Sequence, residues 1–309
     1  MSVKVIIPGA LTTVQDAGRY GYQNSGIQTS GVMDQKAYKQ ANELVGNPAG
    51  EAVLEATLFG GMMEVDEDTL IAFTGADMEP QINGEAAEMN RPYLLQEGDT
   101  VSLGMVKSGC RTYIAFGGGI DVPIVMGSRS TNLKCAMGGY EGRALKAGDV
   151  LKTGTPHASF EEVKERRAKA EFYGSPIEVR VIEGPQAEYF SDKGKETFYG
   201  GTYTISDQSD RMGYRMEGEP IESVNGTDII SDGIAFGAIQ VPASGKPIIL
   251  LADRQTTGGY AKIAVVCSFD IPKLVQGKPG DQVRFVKISV EEAQRINESQ
   301  QTDCMKRGK

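Results

Sequence analysis

The sequence has 309 residues, of which 40% are hydrophobic and 24% charged, a composition that predicts a globular protein of about two domains. The formal net charge of −9 disfavours nucleic acid and anionic membranes as partners, because like charges repel. No apolar run approaches the roughly 20 residues of a membrane span, and the chain reaches Pro8 too soon for a signal-peptide core, so we expect a cytoplasmic protein.

Short β-type runs recur along the chain between turns that contain Gly, Asp or Asn. They are rich in Val, Ile, Tyr and Thr, and they predict a mainly β fold with short helices, built as antiparallel barrels or sandwiches. Within one run, Leu54, Ala56 and Leu58 are predicted to share one face of the strand. The clearest runs cover residues 3–7, 52–58, 70–73, 101–103, 113–116, 177–182, 248–251, 263–266 and 283–288.

One clear helix is predicted in the first half of the chain. Asp34 can cap it, and Gly46 and Pro48 are typical of residues that end a helix. A later helix is predicted to begin at Ser289 and to fray in the polar tail at residues 297–309. The apolar stripe of the first helix consists of Ala37, Tyr38, Ala41, Leu44 and Val45.

A helix between these two is predicted over residues 159–172, where Ser159 and Glu162 form a capping box. Its body is almost wholly charged or small, which is typical of a helix that bridges two domains. The sequence therefore predicts a first β domain, a helical linker, a second β domain and a helical or polar tail, at residues 1–157, 158–173, 174–290 and 291–309.

The cysteines and the single histidine argue against a metal site. The four cysteines are dispersed, so no CxxC motif or zinc knuckle exists, and we expect buried free thiols. His157 is the only histidine and lies beside Pro156 in the predicted linker, so neither a zinc site nor a Ser-His-Asp triad is expected. The cysteines are Cys110, Cys135, Cys267 and Cys304.

Four polar segments rich in glycine carry a distinctive set of motifs. In chain order they contain TTVQD, GR and GYQ at residues 12–23, GGIDVP and GSRST at 118–131, an Arg-containing stretch at 209–218, and DRQTTGGY at 253–260. Together they resemble the family that includes allophanate hydrolase subunit 2, the carboxyltransferase domain of urea carboxylase, the sporulation kinase A inhibitor antagonist and the C-type subunit of 5-oxoprolinase. The resemblance extends from residue 5 to about residue 288.

The resemblance implies a fold of two tandem cyclophilin-like β-barrels and a hetero-oligomeric complex. Its expected partners are a B-type subunit, which is similar to a kinase inhibitor, and an A-type subunit. The expected cofactor is ATP at the level of the complex, with Mg²⁺ as its ion. No covalent biotin is expected, because Lys306 lies in a polar tail and does not match a biotin-attachment lysine.

The reaction implied by the resemblance is the ATP-driven hydrolytic opening of 5-oxo-L-proline to L-glutamate. An amide is resonance-stabilised, and phosphorylation of its oxygen by ATP makes the carbon open to water. Such chemistry needs anion stabilisers and a base more than a protein nucleophile. No GxxxxGK[ST] motif is present, so any nucleotide is bound without a P-loop or by another subunit.

Five charged residues in the matching motifs are candidates for catalysis: Asp16, Arg19, Arg129, Asp253 and Arg254. A guanidinium binds a carboxylate or phosphate through two parallel hydrogen bonds, and the aspartates are candidate bases. We predict that both halves of the chain contribute to the site. The residues predicted to bind substrate are Gln15, Ser128, Ser130, Arg211, Tyr214, Thr256, Thr257, Tyr260 and Lys262.

A structural interpretation of the same residues stays open. The arginines can instead pair with Asp16, Asp34, Asp210 and Asp253 and hold loops in place. The segments 128–131 and 256–259 can bind an anion or can form turns that hydroxyl groups satisfy. The glycine run at 117–119 indicates a bulge or a close approach of strands rather than a phosphate loop.

Three functions are compatible with the motifs. The first is the C-type subunit of an ATP-dependent 5-oxoprolinase. The second is a carboxyltransferase component of the urea carboxylase or allophanate hydrolase type, working with a separate biotin carrier. The third is a non-enzymatic antagonist that binds a kinase-inhibitor-like partner. The absence of an attached carrier favours the first over the second, and the Arg- and Asp-rich loops favour an active site over a binding module.

Overall fold

The computed structural model describes the backbone of residues 1–307 and the side chains of residues 1–299. Contacts divide the chain into two units, Met1–Gly174 and Ser175–Lys309, called here the first and the second unit. No helix of the described part of the chain is both long and apolar enough to cross a membrane.

The strands of the first unit form two sheets. One has seven strands in the order β11-β12-β1-β4-β9-β6-β7, and the other has five in the order β2-β3-β10-β5-β8. The strands are β1 Ser2–Ile7, β2 Leu11–Gln15, β3 Val53–Thr57, β4 Phe59–Val65, β5 Thr69–Asp77, β6 Gln81–Ile82, β7 Glu85–Ala86, β8 Pro92–Leu95, β9 Thr100–Met105, β10 Ser108–Phe116, β11 Ile120–Asp121 and β12 Val150–Thr153.

Apolar side chains from both sheets form the core of this unit. Leu54 and Ala56 of β3 belong to it together with Val5 of β1 and Leu103 of β9. Val53, on the opposite face of β3, packs in a different cluster. The alternation predicted for this strand is therefore confirmed, since successive side chains of a strand point to opposite faces. Each fully buried side chain of this size contributes about 1.5–3 kcal/mol to folding.

Helix α1, Gln35–Leu44, packs in the cluster that contains Val53, so it covers the outer face of the five-stranded sheet. The predicted cap is confirmed, because the Asp34 carboxylate accepts hydrogen bonds from the backbone N–H groups of Lys36 and Ala37 at 3.0 and 2.9 Å. Ala37, Tyr38, Ala41 and Leu44 are buried, as the helical spacing of the apolar residues predicts.

The helix predicted at residues 159–172 is wrong in length. Only α2, Phe160–Val163, is helical, although Ser159 and Glu162 do make the expected contact, with Ser159 N and Oγ donating to Glu162 Oε2. Beyond it, Arg166 donates to Glu43 O and Ala168 N donates to Asn90 O. These contacts fix an irregular path against the first unit and replace the hydrogen bonds of a longer helix.

The second unit contains a closed barrel in the strand order β13-β20-β17-β18-β15-β14-β21 and a separate ribbon of β16 and β19. Its first strand, β13, pairs in parallel with its last, β21. The strands are β13 Ile177–Glu183, β14 Tyr203–Ile205, β15 Gly213–Glu217, β16 Asp228–Gly233, β17 Ala238–Gln240, β18 Ile248–Leu250, β19 Thr257–Tyr260, β20 Lys262–Val266 and β21 Gln282–Lys287.

Three helices accompany the barrel: α3 Asp192–Gly200, α4 Ile271–Leu274 and α5 Val290–Arg307. The predicted start of the last one is confirmed, because Glu292 N donates to Ser289 Oγ at 3.1 Å. This helix continues through residues predicted to fray, while residues 308–309 lie outside the described part. Two single-turn 3₁₀ helices, Gln23–Ser25 and Ala187–Tyr189, complete the regular structure of the described residues.

The mainly β fold with a closed barrel is confirmed, and the clearest predicted strand runs all coincide with observed strands. The glycine run at 117–119 does mark a close approach: a Cβ on Gly118 would lie 2.3 Å from the carbonyl carbon of Gly154. Cys110 and Cys267 are buried free thiols as expected, whereas Cys135 is exposed. The Cys304 side chain lies outside the described residues.

Candidate functional site

A cleft of about 490 Å³ opens in the first unit. One wall is the segment after β11, including Val122 and Val125, and another is the loop 138–142. Lys152 of β12 and Asp121 also line it. Two predicted site residues of this unit bond to the first wall, because Arg19 donates to Val125 O and Arg129 donates to Val122 O.

Asp16 stands at the end of β2 and binds internal donors through both carboxylate oxygens. Oδ1 accepts from Ser128 Oγ at 2.7 Å and from Gly18 N at 2.9 Å, and it also accepts from Ser130 Oγ. Oδ2 accepts from Arg129 N at 2.6 Å. Asp16 is only 6% exposed, so this carboxylate ties the GSRST segment to the end of β2.

Arg19 is fully buried and bonds to the wall of the cleft. Its Nε donates to Val125 O at 2.9 Å, and its Nη2 donates to Ser130 O at 3.0 Å. Gln15, also fully buried, donates through Nε2 to Thr131 O at 3.1 Å, while its Oε1 has no hydrogen bond within the described chain. The contact with Val125 O holds main chain that lines the cleft, and the other two contacts hold the GSRST segment beside it.

Arg129 differs from Arg19 because part of its side chain, 24%, is exposed. Its Nε donates to Val122 O at 3.3 Å. Its terminal nitrogens lie 3.9 Å from carboxylate oxygens of Glu51 and Asp121, which is too long for a hydrogen bond. Arg129 therefore places a partly exposed guanidinium between two carboxylates, beside the segment that lines the cleft, where its planar fork could reach an anion.

The loop 138–142 forms another wall of the cleft, and the sequence motifs do not single it out. Gly138 and Gly139 pack so tightly that a Cβ on Gly138 would lie 2.2 Å from Ser130 O, and one on Gly139 would lie 1.8 Å from Thr131 Oγ1. Glu141 adopts φ of 54°, and Met126 and Ala136 nearby also have positive φ. Left-handed backbone at non-glycine residues is typical of functional loops. The adjacent glycines Gly138 and Gly139 are the sequence feature that could have indicated this part of the cleft.

Arg143 anchors the end of this loop. Its Nη1 and Nη2 donate to the two carboxylate oxygens of Asp149 at 2.7 and 2.9 Å, and Nη2 donates to Glu141 Oε2 at 2.6 Å. The guanidinium also lies over the Tyr140 ring, 5.2 Å from its centre. The hydrogen bonds from Arg143 lower the pKa of Asp149 below its usual value.

The predicted charged residues of the second unit are also held by internal contacts. Arg211 and Asp253 form a buried ion pair, with Nε to Oδ2 at 3.0 Å and Nη2 to Oδ1 at 3.4 Å. Arg254 donates to the carbonyl groups of Ile234 and Leu251 at 3.0 and 3.2 Å. The pairing of Arg211 with Asp253 agrees with the structural interpretation that the sequence left open.

The remaining predicted residues of this unit divide by exposure. Tyr214 is buried and donates through its hydroxyl to Val275 O and Gly277 O at 3.1 and 2.9 Å, so it holds the turn after α4. Thr257 and Tyr260 are exposed on β19, and Thr256 just before them is half-buried. Lys262, at the start of β20, is buried.

The structure thus gathers Gln15, Asp16, Arg19, Ser128, Arg129 and Ser130 beside one cleft of the first unit. In the second unit it joins Arg211 to Asp253 and places Arg254 on neighbouring carbonyls. Among the described residues there is no group of three or more His, Cys, Asp or Glu able to hold a metal ion.

Comparison with known proteins identifies relatives along nearly the whole chain. A family described as "Carboxyltransferase domain, subdomain A and B" matches residues 25–287. The chain is 38% identical over 299 residues to the C-type subunit of 5-oxoprolinase from Escherichia coli, covering 97% of this chain and 95% of that protein. It is 36% identical over 288 residues to the corresponding 5-oxoprolinase subunit of Haemophilus influenzae, covering 92% and 90%.

A solved structure shares the fold. The crystal structure of K. lactis urea amidolyase superposes with a TM-score of 0.86 at 32% identity, and the match covers 97% of this chain. The chain corresponds to only 19% of that much longer protein.

Proposed function

The chain belongs to the family of the carboxyltransferase domain, subdomain A and B, and from this membership we propose that it acts as the C-type subunit of an ATP-dependent 5-oxoprolinase. Together with a B-type and an A-type subunit, it would open 5-oxo-L-proline to L-glutamate in the cytoplasm. The observation that carries this proposal is the partly exposed guanidinium of Arg129, bonded to the segment that lines the cleft, in a chain 38% identical to a 5-oxoprolinase subunit.

The roles proposed for the residues of the first unit follow from their contacts. Arg129 stabilises the negative charge that develops on the amide oxygen of the substrate, because its planar fork can donate two hydrogen bonds to an anion. Asp16 and Arg19 position the GSRST segment and the wall after β11, because their polar groups bond to that main chain. Ser128 and Ser130 act with Asp16 as part of the same support.

The cleft does not match the triphosphate of ATP. Among the described residues that line the cleft, Lys152 is the one cation, and the Glu141 carboxylate is already paired with Arg143, so the lining offers no cluster of cations for a polyanion. We therefore assign the nucleotide and its Mg²⁺ to the assembled complex and derive no phosphoryl-transfer step from this chain. What the chain contributes in this proposal is the recognition of an anion by Arg129.

The test is turnover of 5-oxo-L-proline by the complex assembled from this chain and its two partner subunits. We expect Arg129→Lys to lower kcat/KM by about 10²-fold, the scale of losing one stabilising donor group, because an ammonium cannot reproduce the planar fork. Arg91→Lys is the matched control: Arg91 has a similarly exposed side chain, 31%, and pairs with Glu88 instead. Normal turnover by a folded Arg129→Lys complex would remove this site from the proposal.

A second candidate function is carboxyl transfer with a separate biotin carrier. The observation that favours it is the likeness to urea amidolyase, at 32% identity and a TM-score of 0.86. Carboxyl transfer is placed second because the identity to the 5-oxoprolinase subunit of Escherichia coli is higher, at 38%. Carboxyl transfer that depends on a biotinylated carrier protein, together with no turnover of 5-oxo-L-proline, would make carboxyl transfer the first candidate.

A further inference from the structure

Lys262 is a buried lysine whose ammonium has a single charged partner among the described side chains. The residue is 2% exposed, and its Nζ makes no hydrogen bond of good geometry within the described chain. Its partner is Asp232, whose Oδ2 lies 3.3 Å away. An ammonium has three donors, and burying it is unfavourable unless acceptors surround it. This lysine therefore has donor capacity that its present neighbours do not use.

The partner of Lys262 belongs to a part of the unit that stands outside the barrel. Asp232 lies on β16, which pairs only with β19 in the two-stranded ribbon, and the pairing is irregular between Asp228 and Asp232. The ribbon is strongly exposed, with Ile230 95% exposed on β16. Lys262, in contrast, is the first residue of the barrel strand β20. The ion pair thus joins a surface ribbon to the barrel wall.

The surroundings of the Asp232 carboxylate are those that recognise carboxylates. The backbone N–H of Gly233 donates to Asp232 Oδ1 at 2.7 Å, and this contact, followed by the Lys262 ammonium, lowers the pKa of Asp232. The Gln186 side chain lies beside Lys262, because its Oε1 accepts from Lys262 N at 3.2 Å. A cation and a neutral N–H donor thus converge on one carboxylate.

We propose that Lys262 forms the centre of a carboxylate-binding site that Asp232 occupies in the free subunit and yields to the carboxylate of a small-molecule ligand. The residue that occupies the site is itself a carboxylate, so it reports the chemical class that the site accepts. Asp232 comes from an exposed ribbon, so it can leave without disturbing the barrel. This inference rests on the proposed function only for the identity of the ligand, a cyclic amide that carries a carboxylate.

The experiment is an NMR titration of the purified chain with acetate, with 5-oxo-L-proline and with 2-pyrrolidinone, the same lactam without a carboxylate. We expect Asp232→Asn to lower the Kd of acetate and of 5-oxo-L-proline about tenfold. This is the change expected when a competing group that occupies the site about nine-tenths of the time is removed. The asparagine can still accept the hydrogen bond from Gly233 N, so the turn is preserved. The Kd of 2-pyrrolidinone should be the same for the Asp232→Asn variant and the unaltered chain.

Asp228→Asn is the matched control, because it removes the same charge from the same exposed strand, where Asp228 pairs with Tyr260 of the ribbon. Equal tightening in this variant would reduce the effect to net charge and overturn the inference, as would unchanged binding in Asp232→Asn. Adding Lys262→Met to Asp232→Asn should abolish the tightening; if it persists, Lys262 is not the receptor.

The inference and the proposed function can fail separately. If the complex turns over 5-oxo-L-proline but Asp232→Asn leaves acetate binding unchanged, the inference alone is wrong. If acetate binding tightens as expected but the assembled complex leaves 5-oxo-L-proline intact, the carboxylate site stands and the proposed reaction is wrong.

Discussion

The contacts of Arg254 favour the alternative in which it holds a loop in place, and its role in anion binding stays a prediction. Its guanidinium donates to two main-chain carbonyls and lies over the Phe236 ring, 5.4 Å from its centre. Arg254→Lys should therefore lower the free energy of unfolding by about 1–3 kcal/mol, because a lysine cannot make both hydrogen bonds and the stacking contact. Urea denaturation measures this, with the exposed Arg215→Lys as the control. An unchanged stability with a loss of turnover would instead return Arg254 to the catalytic candidates.

The Arg143–Asp149 pair predicts a pH dependence at the end of the cleft loop. The folded-state pKa of Asp149 is lowered, mainly by the hydrogen bonds from Arg143, so the pair stabilises the fold above the unfolded-state pKa near 4. This stability is lost as the pH falls through the lower folded-state pKa. Asp149→Asn should therefore lower the Tm at about pH 7 but make little difference at about pH 2. A Tm difference that stays constant over this range would contradict the assignment.

At the scale of elements, the two walls of the cleft depend on the close packing of loop 138–142. Gly139→Ala places a Cβ 1.8 Å from Thr131 Oγ1, so the loop must move away from the GSRST segment. Gly148→Ala is the matched control, since Gly148 also has positive φ, +90°, but nothing within 4 Å of a Cβ. Both substitutions share a backbone penalty of about 1–2 kcal/mol.

We expect Gly139→Ala to lower stability further than Gly148→Ala and to lower turnover of the complex, whereas Gly148→Ala should affect stability alone. Thermal unfolding and kcat/KM of the two variants measure the difference. Equal effects of the two alanines would show that the tight contact does not matter for the cleft.

The segment after α2 remains the predicted site of first proteolysis. Residues 165–167 are exposed and irregular, although Val163 just before them is fully buried. Limited digestion with subtilisin should cut near Arg166 and Arg167 before it cuts within β3 or β18, because a protease needs an extended, accessible backbone. Mass spectrometry of the earliest fragments measures this, and first cuts inside those strands would place the boundary elsewhere.

The strands were predictable from the sequence because alternation and β-branched residues report a local property. Leu54 and Ala56 face the core because of their spacing alone. Helix α3 was missed because Gly194 lowers helix propensity, yet this glycine is required where a Cβ would lie 2.1 Å from Glu222 O. The segment 164–172 was wrongly predicted to be helical. Its path is set by contacts with residues distant in sequence, such as Glu43, and no local pattern reveals such contacts.

The site was predictable only in part for the same reason. The motifs pointed to Asp16 and to the GSRST segment, but nothing local shows that Ser128 Oγ meets Asp16 across 112 positions of the chain. The roles of Arg19 and Tyr214 depended on which carbonyls lie within reach after folding. Side-chain chemistry identified residues able to bind a ligand, and packing then directed several of them to the protein's own main chain.

At the scale of the whole molecule, the charge balance of the cleft and the lack of a P-loop lead to one prediction about assembly. The isolated chain should not hydrolyse ATP in response to 5-oxo-L-proline, because its cleft does not favour a polyanion. Activity should require the B-type subunit, and complete opening of the ring should also require the A-type subunit. Phosphate and glutamate release by the chain alone and by the complexes measures this; vigorous release by the chain alone would overturn it.

The parallel pairing of β13 with β21 has a consequence for synthesis on the ribosome. Both barrel neighbours of β13, which are β20 and β21, are encoded near the far end of the unit. At roughly 5–20 residues per second, the roughly 80 residues between β13 and β20 take roughly 4–16 s to emerge. During that time Val179 and Val181 lie on a strand with neither barrel partner. The nascent chain, rather than the finished protein, is therefore the stage most in need of protection by chaperones.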